Sequence, residues 1–135
     1  MSVHTRMTHG PLPACPKPAE DSGAGAILLF EGIVRPLEKG RAILALDYEA
    51  YHPMADRLLR QLAETLLHKY GLIAVEVEHS QGRVAVGQCS FRTRIVSRHR
   101  KEGLAAMEAL IDRLKQDVPI WKRPVYAPAM AEDKP

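Results

Sequence analysis

Three basic clusters are the residues of this sequence best suited to chemistry: Arg35, the run SRHRK at 97–101, and the segment from Lys115 to Arg123. Each falls where one secondary-structure pattern gives way to another, and such boundaries carry functional groups because a scaffold fixes them where the chain leaves its ladder. SRHRK lies where a strand pattern turns into a helix pattern, so free amides at a helix start, with Arg100, can bind phosphate. It reads equally as the exposed face of a strand, since Arg92, Arg94 and Arg98 share one parity. Lys115 stands in the last turn of a helix pattern, where a cation offsets the helix dipole with no catalytic role required. In PIWKR, a Trp next to two cations suits a wall against which Lys122 and Arg123 face an anion. The same residues fit a core Trp flanked by snorkelling charges. Arg35, before Pro36 in a turn, is a solvated charge or an anion contact.

The remaining chemistry-bearing residues narrow the classes. No Ser-His-Asp order, GxSxG, Walker loop or GxGxxG is present, so hydrolase, nucleotide-binding and Rossmann readings have no motif. The six histidines include no HExxH or comparable ligand pair, and Cys15 and Cys89 have no CxxC spacing. Neither a metal, a resident cofactor nor a disulfide framework is expected. His79, on an apolar parity, reads as a satisfied, partly buried histidine, and Tyr48, Glu49 and Tyr51 read as a sheet edge. A formal charge of +3 and a pI near 9.0 favour anionic partners without naming the anion.

The elements that must position these groups follow from periodicity. At 135 residues with 46% hydrophobic and 26% charged residues, the chain suits one globular domain. No run approaches the roughly 18 apolar residues of a membrane span, and the N-terminus lacks the apolar middle of a signal peptide, so a cytoplasmic protein is expected. Residues 1–22, with Pro11, Pro13, Pro16 and Pro18, are expected to form an irregular arm. The folded domain is expected over 23–126, with a tail at 127–135. Strands are predicted over 24–35 and 42–51, pairing as a hairpin, the second with Leu44, Leu46 and Tyr48 on one face. An amphipathic helix with the stripe Met54, Leu58, Leu62 and Leu66 follows, opened by Pro53 and stopped by Gly71. LIAVEVEH at 72–79 alternates, Ser80-Gln81-Gly82 is predicted to turn, and strands continue to about Ser97. A second helix begins near Lys101 with the stripe Leu104, Met107, Ile111 and Leu114; Pro119 ends it, and 120–126 is extended. The order β-β-α-β-β-α-β, with hairpins between helices, indicates an α+β domain.

With these elements in place, FEGIVR at 30–35, LDYEAYHPMA at 46–55, HSQGRVAVGQ at 79–88, SRHRKEGLAAMEALIDRLK at 97–115 and VPIWKR at 118–123 resemble, in order and spacing, the large catalytic subunit of molybdopterin synthase. The resemblance implies an α/β-hammerhead fold and a homodimer. It implies that each half binds a small ubiquitin-like sulfur-carrier subunit whose C-terminal Gly-Gly thiocarboxylate donates sulfur to cyclic pyranopterin monophosphate. Residue by residue, it implies Lys115 as the catalytic lysine beside the carrier tail and Lys122 as the second. It further implies Arg35, His99, Arg100 and Arg123 as holding the phosphorylated pterin, with Ile33 and Val34 lining it through the backbone. Two positions depart from the family pattern: Ser80 stands where the family has an arginine, and Pro124, at a substrate-binding position, where it has a glutamate. Thiocarboxylate and cyclic phosphate are both anions, so one pocket that takes both needs several fixed cations.

Two other classes remain open on these residues. One is a non-catalytic relative that keeps a groove for a ubiquitin-like partner. The other is a small basic nucleic-acid-binding domain built on Arg92, Arg94, Arg98 and Arg100, disfavoured by only 5% aromatics and no interleaved stacking pattern. Neither nucleic acid nor membrane is an expected partner.

Overall fold

The computed structural model describes residues 1–14 and 23–128. Its elements are β1 (Ser2–His9), β2 (Ala26–Ile33), β3 (Leu37–Glu38), β4 (Arg41–Ala50), α1 (Met54–Lys69), β5 (Ala74–Ala85), β6 (Cys89–Ser97), α2 (Arg100–Asp117) and β7 (Ile120–Tyr126). The architecture is the α+β fold indicated by the sequence, with two helices packed on one face of an open sheet. The strand pairs are antiparallel except β1 with β5.

β5 is the axis of the sheet. Its first half lies between β1 and β6, with Ala74–Gln81 beside Ser2–His9 and Ala74–His79 beside Phe91–Val96. Its second half, Gly82–Ala85, pairs with Tyr48–Ala45 of β4 instead. Residues 80–82 therefore do not turn the chain, as predicted; the strand runs through them and changes partners. Gly82 makes this possible with φ +83, a conformation that costs a side-chain-bearing residue. The turn sits later, at 86–88, where Gln88 N–H donates to the Ala85 carbonyl and Gly87 takes φ +87.

The N-terminal arm is not irregular throughout. Val3, Thr5 and Met7 alternate inward, and Ser2–His9 adds to β5 as a parallel strand; the prolines that suggested an arm begin only at Pro11. Residues 15–22 of that expected arm, and 129–135 of the expected tail, lie outside the described residues. β2 and β4 also do not form a hairpin: β2 pairs with β6, and β4 with β5 and β7. The local hairpin is β3–β4, closed by Lys39 and Gly40 at φ 52 and 79. Two residues of positive φ give the turn whose twist matches that of the strands.

The core lies between helices and sheet. Leu59, Leu66 and Leu110 are fully buried against Val75, Val77 and Ile95. The α1 stripe is Ala55, Leu59, Leu62, Ala63, Leu66 and Leu67, one residue beyond the predicted one at its start, so Met54 is exposed. In α2 Leu104 is likewise exposed, while Gly103, Ala106, Met107, Leu110 and Leu114 are buried. In β4 a register shift between Ile43 and Ala45 against β7 reverses the parity, which buries Ile43 and exposes Leu44, expected on the same face as Leu46.

Gly82→Ala would put a Cβ 3.0 Å from the His9 ring in a strained backbone. It is expected to cost about 1–3 kcal/mol, seen as a lower urea midpoint at unchanged slope; an unmoved midpoint would show that the junction tolerates either conformation.

Candidate active site

Seven elements, β2 to β7 and α2, meet around one cavity of about 570 Å³. β2 and the residues after it contribute Phe30 to Arg35, β4 contributes Leu46 and Tyr48, and His79 comes from β5. Ser90 and Phe91 come from β6, Leu114 and Lys115 from the last turns of α2, and Lys122 from β7. Three cations from distant parts of the sequence, Arg35, Lys115 and Lys122, thus share one wall system. Each is placed by local structure. Lys115 follows buried Leu114 at the helix end, so it faces outward just where the helix dipole is negative. Lys122 sits opposite Tyr48 in the β4–β7 ladder. Arg35 follows Val34, whose amide donates to the Gln88 carbonyl at 3.0 Å and whose carbonyl accepts from Gly87 N–H at 2.9 Å. Ile33 and Val34 line the cavity as the resemblance implies, with the Val34 peptide groups already engaged by the 86–88 turn.

Charge in the cavity is unevenly compensated. Glu31 is paired with Arg92 at 2.8 Å, and Glu38 is 3.3 Å from Lys122 Nζ. Arg35 and Lys115 have no ion-pair partner among the described residues. The arrangement therefore offers two uncompensated cations and a third, Lys122, tethered to a carboxylate that an anion could displace. Such a cavity, part apolar and part cationic, suits a flat organic anion or two anions held close together.

The other residues named from sequence lie elsewhere on the single chain. His99 is the N-cap position of α2 and Arg100 its first residue, both exposed, while Lys115 is at the opposite end. Fifteen helical residues span roughly 22 Å, so His99 and Arg100 do not reach this cavity from within the chain. Arg123 and Pro124 follow Lys122 in β7 and line a smaller depression of about 430 Å³ with Asp47, Glu49 and Trp121, which Tyr48 and Lys122 share with the main cavity. There Arg83, bonded to Asp47 at 2.8 and 3.0 Å, holds that carboxyl below its usual range, and Arg123 adds to the effect.

Sequence reading missed Glu38, Tyr48, His79 and Ser90 as cavity residues. Tyr48 O–H donates to Ser90 Oγ at 3.0 Å, and its ring meets the His79 ring edge-on at 5.2 Å. Strand parity carried part of the signal, since Leu46 and Tyr48 share one face of a strand and His79 shares an inward face with Val77. Nothing in the sequence showed that the two strands pair. Of the four arginines offered as a nucleic-acid face, Arg92 and Arg94 are buried, Arg92 paired with Glu31 and Glu78 and Arg94 with Glu76, while Arg98 and Arg100 are exposed. That reading loses half of its basis.

The MoaE protein family model matches residues 11–117. The chain belongs to the MoaE family. It is 44% identical over 103 residues to the molybdopterin synthase catalytic subunit of Arabidopsis thaliana, covering 76% of this chain and 52% of that protein. Against the Nostoc protein of the same description it is 39% identical over 106 residues, covering 78% of this chain and 64% of the relative. The chain thus spans between half and two thirds of these relatives' length. Among solved structures, molybdopterin synthase from Staphylococcus aureus matches with a TM-score of 0.78 at 29% identity, covering 91% of both chains. The complex of subunits 1 and 2 of the molybdopterin-converting factor from Helicobacter pylori matches at 0.71 and 26% identity, covering 91% of this chain and 89% of that one. The likeness to the Staphylococcus aureus structure agrees with the hammerhead-type arrangement that the resemblance implied, and the family match contains Arg35 and Lys115 and stops short of Lys122.

Burial holds the His79 imidazole below the ordinary histidine value, partly offset by a bond to the Ser80 carbonyl. A depressed native pKa means the unfolded chain takes up the proton first, so stability is lost as pH falls below 6.5. His79→Gln removes that contribution: urea midpoints between pH 7.5 and 5 should fall less steeply in the variant than in the wild type, and parallel curves would place the wild-type titration elsewhere.

Proposed function

We propose that this chain is the catalytic subunit of a molybdopterin synthase, transferring sulfur from the C-terminal thiocarboxylate of a small ubiquitin-like carrier to cyclic pyranopterin monophosphate to form the dithiolene. One observation carries the reading: Arg35, Lys115 and Lys122, named from the resemblance, line one cavity although 80 residues separate Arg35 from Lys115. Membership of the MoaE family and the naming of its relatives support it. The Helicobacter pylori complex of two subunits supports a carrier partner docked on this fold.

In this reading the carrier's tail enters beside Lys115. The two uncompensated cations offset the repulsion between thiocarboxylate and phosphate, an effect strongest where water is excluded. Arg35 takes phosphate oxygens through its planar fork, while Lys115 and Lys122 act as point charges and carry protons. Ile33 and Val34 form the wall against which the pterin lies. Arg123 and Pro124, one step along β7 in the adjoining depression, act at the cavity's margin rather than its centre. His99 and Arg100 serve the same phosphate from a second copy of the chain, because α2 holds them a helix length away from Lys115 in their own copy. A homodimer then has two complete sites, each built across the interface. The reaction belongs in the cytoplasm, which suits the buried free thiol of Cys89.

Lys115→Ala is expected to abolish dithiolene formation from thiocarboxylated carrier and cyclic pyranopterin monophosphate, measured by mass, while melting temperature and dimer mass stay unchanged. Wild-type rates in that variant would remove Lys115 from the reaction. Arg100→Ala should be similarly impaired. Mixing the two variants and allowing subunits to exchange should restore about a quarter of the activity, because each mixed dimer has one intact site; no recovery would place Arg100 outside a shared site.

A further inference from the structure

His79 is a buried, nucleophilic group that the proposed reaction does not use. Its ring lines the cavity together with Lys115, Tyr48 and Ser90. Nδ1 lies 2.7 Å from the Ser80 carbonyl oxygen. A carbonyl only accepts, so Nδ1 carries the hydrogen of the neutral ring and Nε2 is left as a lone pair. Nε2 has no hydrogen-bond partner among the described residues. The ring cannot easily turn to exchange the two nitrogens. It is wedged between Tyr48, edge-on at 5.2 Å, and Phe91, tilted at 5.8 Å.

Ser90 supplies the complementary group. Its oxygen accepts the Tyr48 hydroxyl at 3.0 Å, so its own hydrogen remains available, and it has no acceptor for that hydrogen among the described residues. A fixed acceptor and a free donor therefore line the same cavity as the apolar residues Leu46, Phe91 and Ile120, and neither is bonded to a carboxylate among the described residues. The cations that recognise phosphate read only its charge, and a phosphate alone would leave this pair unused.

We propose that His79 Nε2 and Ser90 Oγ form a specificity site for the heterocycle of the substrate: His79 accepts an N–H and Ser90 donates to a ring nitrogen or carbonyl oxygen. The proposal rests on the molybdopterin synthase reading and deepens it, assigning the polar edge of the pterin to this pair, its face to Ile33 and Val34, and the phosphate to Arg35. His79 is a positioning residue that selects a ring with an N–H edge. A protonated imidazole would present N–H to N–H and repel that edge, and burial, which disfavours the charged form, keeps it in the accepting state.

The test is anaerobic calorimetric titration of cyclic pyranopterin monophosphate into the full-length protein and the variants His79→Leu, His79→Gln and Ser90→Ala, with carrier binding measured alongside. Leucine removes the acceptor, whereas the glutamine amide oxygen restores it near the position of Nε2. Leaving the substrate N–H unpaired should weaken pterin binding by about tenfold or more in His79→Leu. His79→Gln should recover most of that loss, Ser90→Ala should weaken binding by a smaller factor, and carrier affinity should not change. In turnover the loss should appear as a raised KM for the pterin with an unchanged KM for the carrier. Equal affinity of wild type and His79→Leu, or glutamine as weak as leucine, overturns this proposal while the sulfur-transfer reading stands. If His79→Leu does not fold, Ser90→Ala with undiminished pterin affinity has the same consequence. A wild-type protein that binds no pterin overturns both.

Discussion

The cavity exists because β5 is one continuous strand with two sets of neighbours. Up to Gln81 its hydrogen bonds go to β1, and up to His79 also to β6; from Gly82 they go to β4. A sheet must keep its backbone groups paired, so a strand that outlasts its first neighbours has to find another partner or end. Here β4 takes over on the same strand, and β7 and β3 extend the sheet from β4. Gly82, where the change of partner falls, takes a positive φ. The hollow at that junction is what His79, Tyr48 and Ser90 line, and it is closed from outside by the C-terminal end of α2 and the segment after β2. Without the change of partner at Gly82, Lys122 on β7 and Arg35 after β2 would have no common space to face.

The same strand organises charge on the sheet face opposite the helices. Glu76 and Glu78 of β5 stand opposite Arg94 and Arg92 of β6, with Glu31 of β2 beyond Arg92 and Arg6 of β1 on the other side of Glu78. Arg6 and Glu78 are 3.1 Å apart, and Arg92 also donates to the Pro13 carbonyl at 2.6 Å. Arg92 and Arg94 are thus spent on structure. Buried ion pairs of this kind add little net stability, because desolvation offsets attraction, yet removing one partner leaves a costly uncompensated charge. They fix which residues of β1, β2, β5 and β6 stand side by side. The positive formal charge of the chain therefore overstates its free basic surface, and the cations left available cluster at the ends of elements.

Period and punctuation carried the elements, and both helices lie within a residue or so of where the stripes and prolines placed them. They missed pairing, which depends on contacts distant in the chain. Residues 24–35 and 42–51 are neighbours in sequence and read as a hairpin, but the two-residue turn at Lys39-Gly40 leaves only Leu37 and Glu38 as the partner of β4, and β2 goes to β6 instead. Ser80-Gln81-Gly82 has turn composition, yet its glycine serves a strand that changes partners. Ser2–His9 alternates weakly and was overshadowed by the prolines after it. The candidate site was legible in part: Arg35, Lys115 and Lys122 stood out as basic clusters and took their proposed roles from resemblance, while Glu38, Tyr48 and Ser90 needed the register of β4 against β5 and β7.

His79 shows how far a reading from pattern alone can go. Its parity with Val75 and Val77 marked it as inward-facing, and a histidine on an apolar face is ordinarily satisfied by its surroundings. Half of that holds: Nδ1 is satisfied by the neighbouring carbonyl and the ring is packed between aromatics. The other nitrogen has no partner among the described residues, and His79 lines the cavity where β5 reaches the junction. Core packing fixes the tautomer, and the tautomer decides that the wall presents a lone pair. A site for a phosphorylated heterocycle needs both kinds of contact: mobile cations at its mouth that gather charge, and fixed neutral dipoles deeper in that distinguish one ring from another. In the proposed reading the helix end and the strand ends supply the first, and the junction in β5 supplies the second.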